Sequence, residues 1–242
     1  MTESGPLASP YARQALSYAF DYDAFIKGIL HGYGRRAYGP IPSSLLGYDP
    51  HAFHYQTDLG KARALLQKAG VKQGTTLTMV YTTALGPGLQ SAGLILEAQL
   101  AQIGLRLKLQ QLDSAAYSSI FFSNEAPSRR PNVMNVGWYP DYNDPYDMCV
   151  PLLASYSAGA AGANTGYYHN KQVDALLAAM KNGSASVAIR DAKTLQDIAG
   201  RVDPPAIWLS EPAQVAVMRK NLQGYVFNPL EVHVYNFYPM HR

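Results

Sequence analysis

A single cysteine, Cys149, stands in a chain of 242 residues. One thiol excludes an internal disulfide and any zinc site built on paired cysteines. A run of about 18 apolar residues, roughly what a membrane-spanning helix requires, is also missing. The amino terminus, Met1-Thr2-Glu3-Ser4-Gly5-Pro6, has no basic stretch followed by an apolar one, so no signal peptide is read there. Charge is scarce: Asp, Glu, Lys and Arg together make up 15% of residues, against roughly 25% in ordinary soluble domains. With 20 Lys+Arg against 17 Asp+Glu the net charge is +3, too small for a nucleic-acid-binding footprint. Neither G-x-S-x-G nor H-E-x-x-H occurs, so the commonest hydrolase signatures are lacking.

What is present is apolar and rich in tyrosine. Hydrophobic residues reach 48%, which excludes a wholly disordered chain and allows a core of real size. Tyrosine occurs 18 times, against 7 Phe and 2 Trp. A ring that carries a hydroxyl suits half-wet surfaces such as cleft walls, although tyrosine also replaces phenylalanine in loosely polar cores.

Residues 1–9 are small and polar and read as a flexible tail. Ser9-Pro10 is a cap followed by proline at the first helical position. A second helix is expected after Asp21, with Tyr22, Phe25, Ile26, Ile29 and Leu30 on one face, ending at Gly32 and Gly34. Residues 33–56, rich in Gly, Pro and Tyr, read as a long surface excursion. Thr57 is the expected cap of a helix through Ala69. Thr76–Tyr81 reads as a strand, Gly86-Pro87-Gly88 opens a long helix, and Leu105, Leu107 and Leu109 alternate with Arg106 and Lys108 as a second strand. Strand, helix and strand of this length form a βαβ unit with parallel pairing.

Asp113 is the expected cap of a helix through Phe122. Residues 123–131 form a polar loop whose Arg129-Arg130 reads as a solvated tip. Val133–Trp138 is a short strand. Two helices follow, marked by Val173, Leu176, Leu177 and Met180, and by Ala192, Leu195, Ile198 and Val202. Asp203-Pro204-Pro205 stops the second. Ala206–Ser210, Ala213–Met218 and Val232–Tyr238 then read as strands.

The run Gly137-Trp138-Tyr139-Pro140-Asp141-Tyr142-Asn143-Asp144-Pro145-Tyr146-Asp147 carries the chemistry. It follows a strand, where ligands bind in open α/β sheets. Asp144 before Pro145 reads as a helix cap with Asp147 at the third helical position. Asp141 has no such local duty and is the better partner for a cation such as a ligand amine. Trp138, Tyr139 and Tyr142 offer aromatic planes, with Trp138 equally readable as a core residue. The run fails as a calcium loop, because Pro145 occupies the third liganding position and neither the required glycine nor the closing glutamate follows. His51-x-x-His54 lies in a Pro- and Gly-rich loop and makes a poor metal pair. His31-Gly32-Tyr33-Gly34-Arg35-Arg36 has glycines and cations without a phosphate-loop pattern.

Four stretches, taken in order, resemble the extracytoplasmic solute-binding proteins of family 5. Tyr11-Ala12-Arg13-Gln14-Ala15-Leu16-Ser17-Tyr18-Ala19-Phe20-Asp21 is similar to that family's V-R-Q-A-L-x-x-A-I-D helix. Asp58 to Gly70, with Ala62, Leu65, Leu66 and Ala69-Gly70, resembles A-x-x-L-L-x-x-A-G. Gly137-Trp138 through Asp144-Pro145 resembles G-W-x-x-D-Y-x-D-P. Asn164-Thr165-Gly166-Tyr167 with Val173-Asp174-Ala175-Leu176-Leu177 resembles N-x-x-G-Y-x-N-x-x-V-D-x-L-L.

The resemblance implies an α/β fold: a mixed-sheet lobe of a type II periplasmic-binding-protein-like clamshell with a strand-rich C-terminal segment. Residues 10–205 would be the second ligand-binding lobe, and 206–242 the chain's return to a first lobe that family members carry, with their signal peptide, ahead of the helix at Pro10. It implies capture of a small solute, peptides included, and delivery to an ABC permease outside the cytoplasm, with no catalysis, cofactor or membrane span. Among peptide-binding relatives the aspartate matching Asp141 neutralises the ligand's α-amine and the tryptophan matching Trp138 lines the pocket. Some also carry an arginine three positions before that tryptophan, where this chain has Asn135. The candidate ligand-binding set is therefore Trp138, Asp141, Tyr139, Tyr142 and Asn135. Residues 206–242 are expected to pack on the lobe or to self-associate, because unpaired apolar strands invite association. Two alternatives stay open: a small hydrolase using Asp141 and Asp144, and an interaction module with a Tyr-rich surface.

Overall fold

The computed structural model describes residues 4–86, 88–228 and 235–242. In chain order its elements are α1 (Pro10–Ala19), β1 (Gly34–Arg36), α2 (Leu59–Lys68), β2 (Thr76–Tyr81), α3 (Gly88–Gln102), β3 (Arg106–Gln111), α4 (Ser114–Phe121), β4 (Val133–Met134), α5 (Pro145–Leu153), α6 (Lys171–Asn182), α7 (Ala185–Asp197) and β5 (Ser210–Pro212).

Side-chain oxygens start most of the helices. Ser9 Oγ accepts the Tyr11 N–H ahead of Pro10, and Asp113 Oδ1 accepts the Ala116 N–H at 2.9 Å. The cap of α2 is Asp58 rather than Thr57: its Oδ1 accepts the Lys61 N–H at 2.9 Å. Thr57 is engaged elsewhere, its hydroxyl donating to Phe20 O at 2.8 Å. Gly70 follows α2 at φ +70°, a left-handed stop that other residues adopt at a cost. The expected second helix forms over residues 22–29, π-helical from Ala24 to Ile29, and its expected face turns inward: Tyr22 and Phe25 are buried, with Ile26, Ile29 and Leu30 packed against the same core.

The βαβ unit is present as read. β2 pairs parallel with β3 from Thr76↔Arg106 to Tyr81↔Gln111, and β4 joins the other edge of β2 at Met79↔Val133. The sheet order is β3-β2-β4. β4 is two residues long, not six, because the pairing beyond Val80↔Met134 is replaced by a side chain: the Thr82 N–H donates to Asn135 Oδ1 at 3.3 Å.

Two cores hold the chain together. Leu77 and Leu107 of the sheet pack with Leu16 and Phe20 of the first helical region, Leu66 of α2 and Leu96 and Leu100 of α3. Ile41 and Leu45 pack with Met148, Leu153, Leu177 and Leu195 from α5, α6 and α7. Residues 33–56 are therefore partly internal, not a surface excursion: Ile41 is 0% exposed, and the Gln196 amide clamps Asp49 through its N–H and C=O. Leu7 of the expected tail is buried as well, and the Arg13 guanidinium donates to Leu7 O and Ala8 O. Arg130, expected at a solvated tip, is 5% exposed and donates to Ser123 O at 2.8 Å and to Phe121 O; Arg129 beside it is exposed.

Among the described residues none of the strands expected after Pro205 forms with its expected bounds; a three-residue strand, Ser210–Pro212, bridges the first two and pairs antiparallel with β1. Gly34 faces Pro212 there at φ +147°, and a Cβ would lie 3.0 Å from Glu211 O. Glu211 fastens the pair, accepting from Arg35 Nε and from the backbone and hydroxyl of Ser43. The strand expected at Val232–Tyr238 falls partly outside the described residues; residues 235–238 are not a strand. The Ala213 N–H still donates to Tyr33 O at 3.2 Å, but residues 213–217 are all exposed, with Val217 at 94%. Trypsin is accordingly expected to cut first at Arg219 or Lys220. Cleavage within α1 or α2 while the bonds after Arg219 and Lys220 stay intact would show that this segment is covered in solution.

Candidate functional site

Asp144 caps α5 as expected, its Oδ1 accepting the Tyr146 N–H at 2.7 Å with Pro145 at the first helical position. That engagement removes the second free acid which a hydrolase built on Asp141 would use. Asp147 does not serve its own helix: Oδ2 reaches back to accept the N–H of Asp141 at 2.6 Å and of Tyr142 at 3.3 Å. Asn143 Oδ1 accepts the Leu46 N–H at 3.1 Å and ties the loop to residues 40–48. The turn is thus held by its own acids, and the side chains of Tyr139, Asp141 and Tyr142 project outward.

Asp141 is exposed, and its carboxylate has no hydrogen bond or ion pair among the described residues. Tyr139 and Tyr142 are 45% and 53% exposed. Trp138 is half-buried, seated between the core of α5–α7 and a smaller cluster around Tyr117 and Phe121. Partial desolvation raises the pKa of the Tyr142 hydroxyl, and the carboxylates of Asp147, Asp144 and Asp141 push it the same way. The loop therefore exposes two tyrosine rings, Tyr139 and Tyr142, beside one free carboxylate in sequence, which suits a cation with an apolar or aromatic neighbour.

Asn135 lies beneath this surface, 6% exposed. Its backbone oxygen accepts the Tyr117 hydroxyl, and its carboxamide oxygen holds Thr82. The sequence alone singles out neither Thr82 nor Tyr117. The rule that sites gather at the C-terminal ends of parallel strands was a usable signal for Thr82; nothing local marked Tyr117. An open cavity of about 540 Å³ lies at those strand ends, lined by Thr82, Thr83, Ala84, Gln111, Leu112, Asp113 and Ser114. None of the five candidate residues lines it.

Among the described residues no cluster of three or more His, Cys, Asp or Glu could hold a metal. His54 is stacked on Tyr38 with ring centroids 4.3 Å apart. Cys149 is buried, and burial pushes its thiol pKa well up. No helix of the described residues is long and apolar enough to cross a membrane.

The family model for "bacterial extracellular solute-binding proteins, family 5 Middle" matches residues 1–160, a span that includes the whole Trp138–Asp147 loop. The chain belongs to this family. Among its relatives is the probable D,D-dipeptide-binding periplasmic protein DdpA of Escherichia coli, 31% identical over 237 residues, which cover 97% of this chain and 44% of that protein. Among solved structures, HbpA2 from Haemophilus parasuis superposes with a TM-score of 0.81 at 25% identity over 99% of this chain and 46% of that one. The periplasmic binding protein DppA from Helicobacter pylori, in complex with the peptide STSA, gives a TM-score of 0.75 at 25% identity over 87% of this chain and 40% of that one. The chain thus has the α/β fold of family 5 binding proteins and spans about half the length of the relatives it matches. These relatives are binding proteins rather than enzymes.

Proposed function

We propose that this chain is the second lobe of a family 5 solute-binding protein that captures a peptide-like solute outside the cytoplasm and delivers it to an ABC permease. The observation that carries the reading is the unpaired, exposed carboxylate of Asp141 among Trp138, Tyr139 and Tyr142, inside the span matched by the family. Asp141 receives the solute's amine, the three rings line its path, and Asn135 supports them from beneath. The relatives' names favour peptides: one is called D,D-dipeptide-binding, and another was solved with a peptide. Residues 10–205 form the lobe. The exposed apolar side chains of 206–242, Val215, Val217 and Val226 among them, are the surface that a first lobe covers. Self-association through the same surface is the competing outcome, and light scattering distinguishes the two.

In a protein holding both lobes, closure dries the cleft and strengthens the amine–carboxylate pair. Asp141→Asn in that protein is expected to weaken binding of an N-terminal-amine solute tenfold or more, about 1.4 kcal/mol. Unchanged affinity by calorimetry would remove Asp141 from the site.

A further inference from the structure

Asn135 has a carboxamide whose two ends are unequal. The oxygen accepts the Thr82 N–H at 3.3 Å, which identifies the other end as the N–H₂ group, and that group is buried with no hydrogen-bond partner. Thr82 in turn caps the short turn Thr83–Leu85, its Oγ1 accepting the Ala84 N–H. Through its backbone oxygen Asn135 also holds Tyr117 of α4. It is thus a positioning residue that locks the ends of β2 and β4 to α4, and it presents no charge to the cleft.

Among the described residues, none that lines this end of the sheet carries a positive charge. The cavity beyond β2 and β3 is lined by threonine, glutamine, serine, alanine and leucine, with Asp113 its one ionisable residue. In the loop after β4, Asp141, Asp144 and Asp147 have no ion-pair partner among the described residues. Every charged group that acts on Tyr142 is a carboxylate.

We infer that this face receives the solute's amine and gives a solute carboxylate no partner, so that it favours amines whose remaining groups are neutral, such as amino-acid and peptide amides. The inference rests on the amine-binding role proposed for Asp141 and deepens it. The charges of Asp141, Asp144 and Asp147 oppose a second anion, and among the described residues no guanidinium or ammonium pairs with them to offset that repulsion.

Three probes with one ring and different ends test this on the chain itself: phenylalaninamide, phenylalanine and N-acetylphenylalanine. They are titrated into ¹⁵N-labelled protein at about pH 6, below the ordinary range of an α-amine. Phenylalaninamide is expected to shift the backbone signals of residues 138–147 saturably and to bind about threefold or more tighter than phenylalanine, with no response to N-acetylphenylalanine. Asp141→Asn should abolish the response to phenylalaninamide. Asn135→Ala should speed exchange of the Thr82 amide and leave the amide-to-acid preference unchanged. Phenylalanine binding tighter than its amide, a saturable response to N-acetylphenylalanine, or a preference altered by Asn135→Ala would overturn the inference while leaving the amine site standing. No response to any probe would overturn the amine site itself, and the inference with it.

Discussion

Arg13→Met is expected to lower the unfolding free energy by about 3–5 kcal/mol, the range for breaking a buried ion pair from one side. Arg13 is 8% exposed. Its guanidinium is bound to the Asp203 carboxylate and donates to Pro204 O at 2.9 Å and to Leu7 O and Ala8 O at 2.7 Å. One side chain therefore joins the segment before α1 to the Asp203-Pro204 stop after α7. Asp203 also accepts from Asn170 Nδ2 at 2.8 Å, which brings the start of α6 into the same knot. Methionine fills much of the volume but leaves the carbonyls and the carboxylate without a donor. Lysine keeps the charge and loses the fork, so Arg13→Lys should recover only part of the loss. Urea denaturation measures both. A change below about 1 kcal/mol for Arg13→Met would mean that the pair does not hold the lobe together.

Asn164→Ala is expected to cost roughly 2–4 kcal/mol, because it strands several buried backbone groups at once. Asn164 is 2% exposed. Its Nδ2 donates to Ala154 O at 3.0 Å and to Tyr168 O at 2.8 Å, and its Oδ1 accepts the Tyr168 N–H at 2.8 Å. Ala154 closes the end of α5, whose first turn directly follows the candidate loop, and Tyr168 is among the largest fully buried side chains. Asn164→Asp should be no better, since it retains the acceptor and loses both donations. Faster amide exchange at the end of α5 than at the end of α3 would locate the damage. Equal loss at both ends would point to global destabilisation alone.

These two residues show where a sequence reading reaches and where it stops. Arg13 and Asn164 both lie in the stretches that carry the family resemblance, yet neither stretch discloses its job. Arg13 meets Pro204, 191 positions away. Arg129 and Arg130 are adjacent and chemically identical; the fold exposes one and buries the other under Tyr167, whose ring lies 5.2 Å from the guanidinium. Asp147 sits where an acid ordinarily serves its own helix, but its oxygen spans back to Asp141 and Tyr142 because the chain bends over residues 141–143. Ile41 and Leu45 lie in glycine- and proline-rich surroundings that read as surface, yet irregular backbone can deliver apolar side chains to a core when its polar groups find partners, as Asp49 does on Gln196.

What began as a chain with one thiol, little charge and no catalytic signature is, by its residues alone, an α/β chain with a parallel βαβ unit, helices capped at Ser9, Asp113 and Asp144, and an aromatic–acidic loop after a strand. Those features were legible because they depend on neighbours a few positions apart: capping, 3.6-residue and two-residue periodicity, proline geometry. Only the tertiary structure decided which arginine is internal, that Asn135 ties Thr82 to Tyr117, that Asp147 turns back to the loop and not to its own helix, and that residues 214–217 are exposed. Each of those depends on contacts between distant segments, such as Asn143 with Leu46 across 97 positions, and the energy of such a contact is set by burial and by partners that no local pattern encodes.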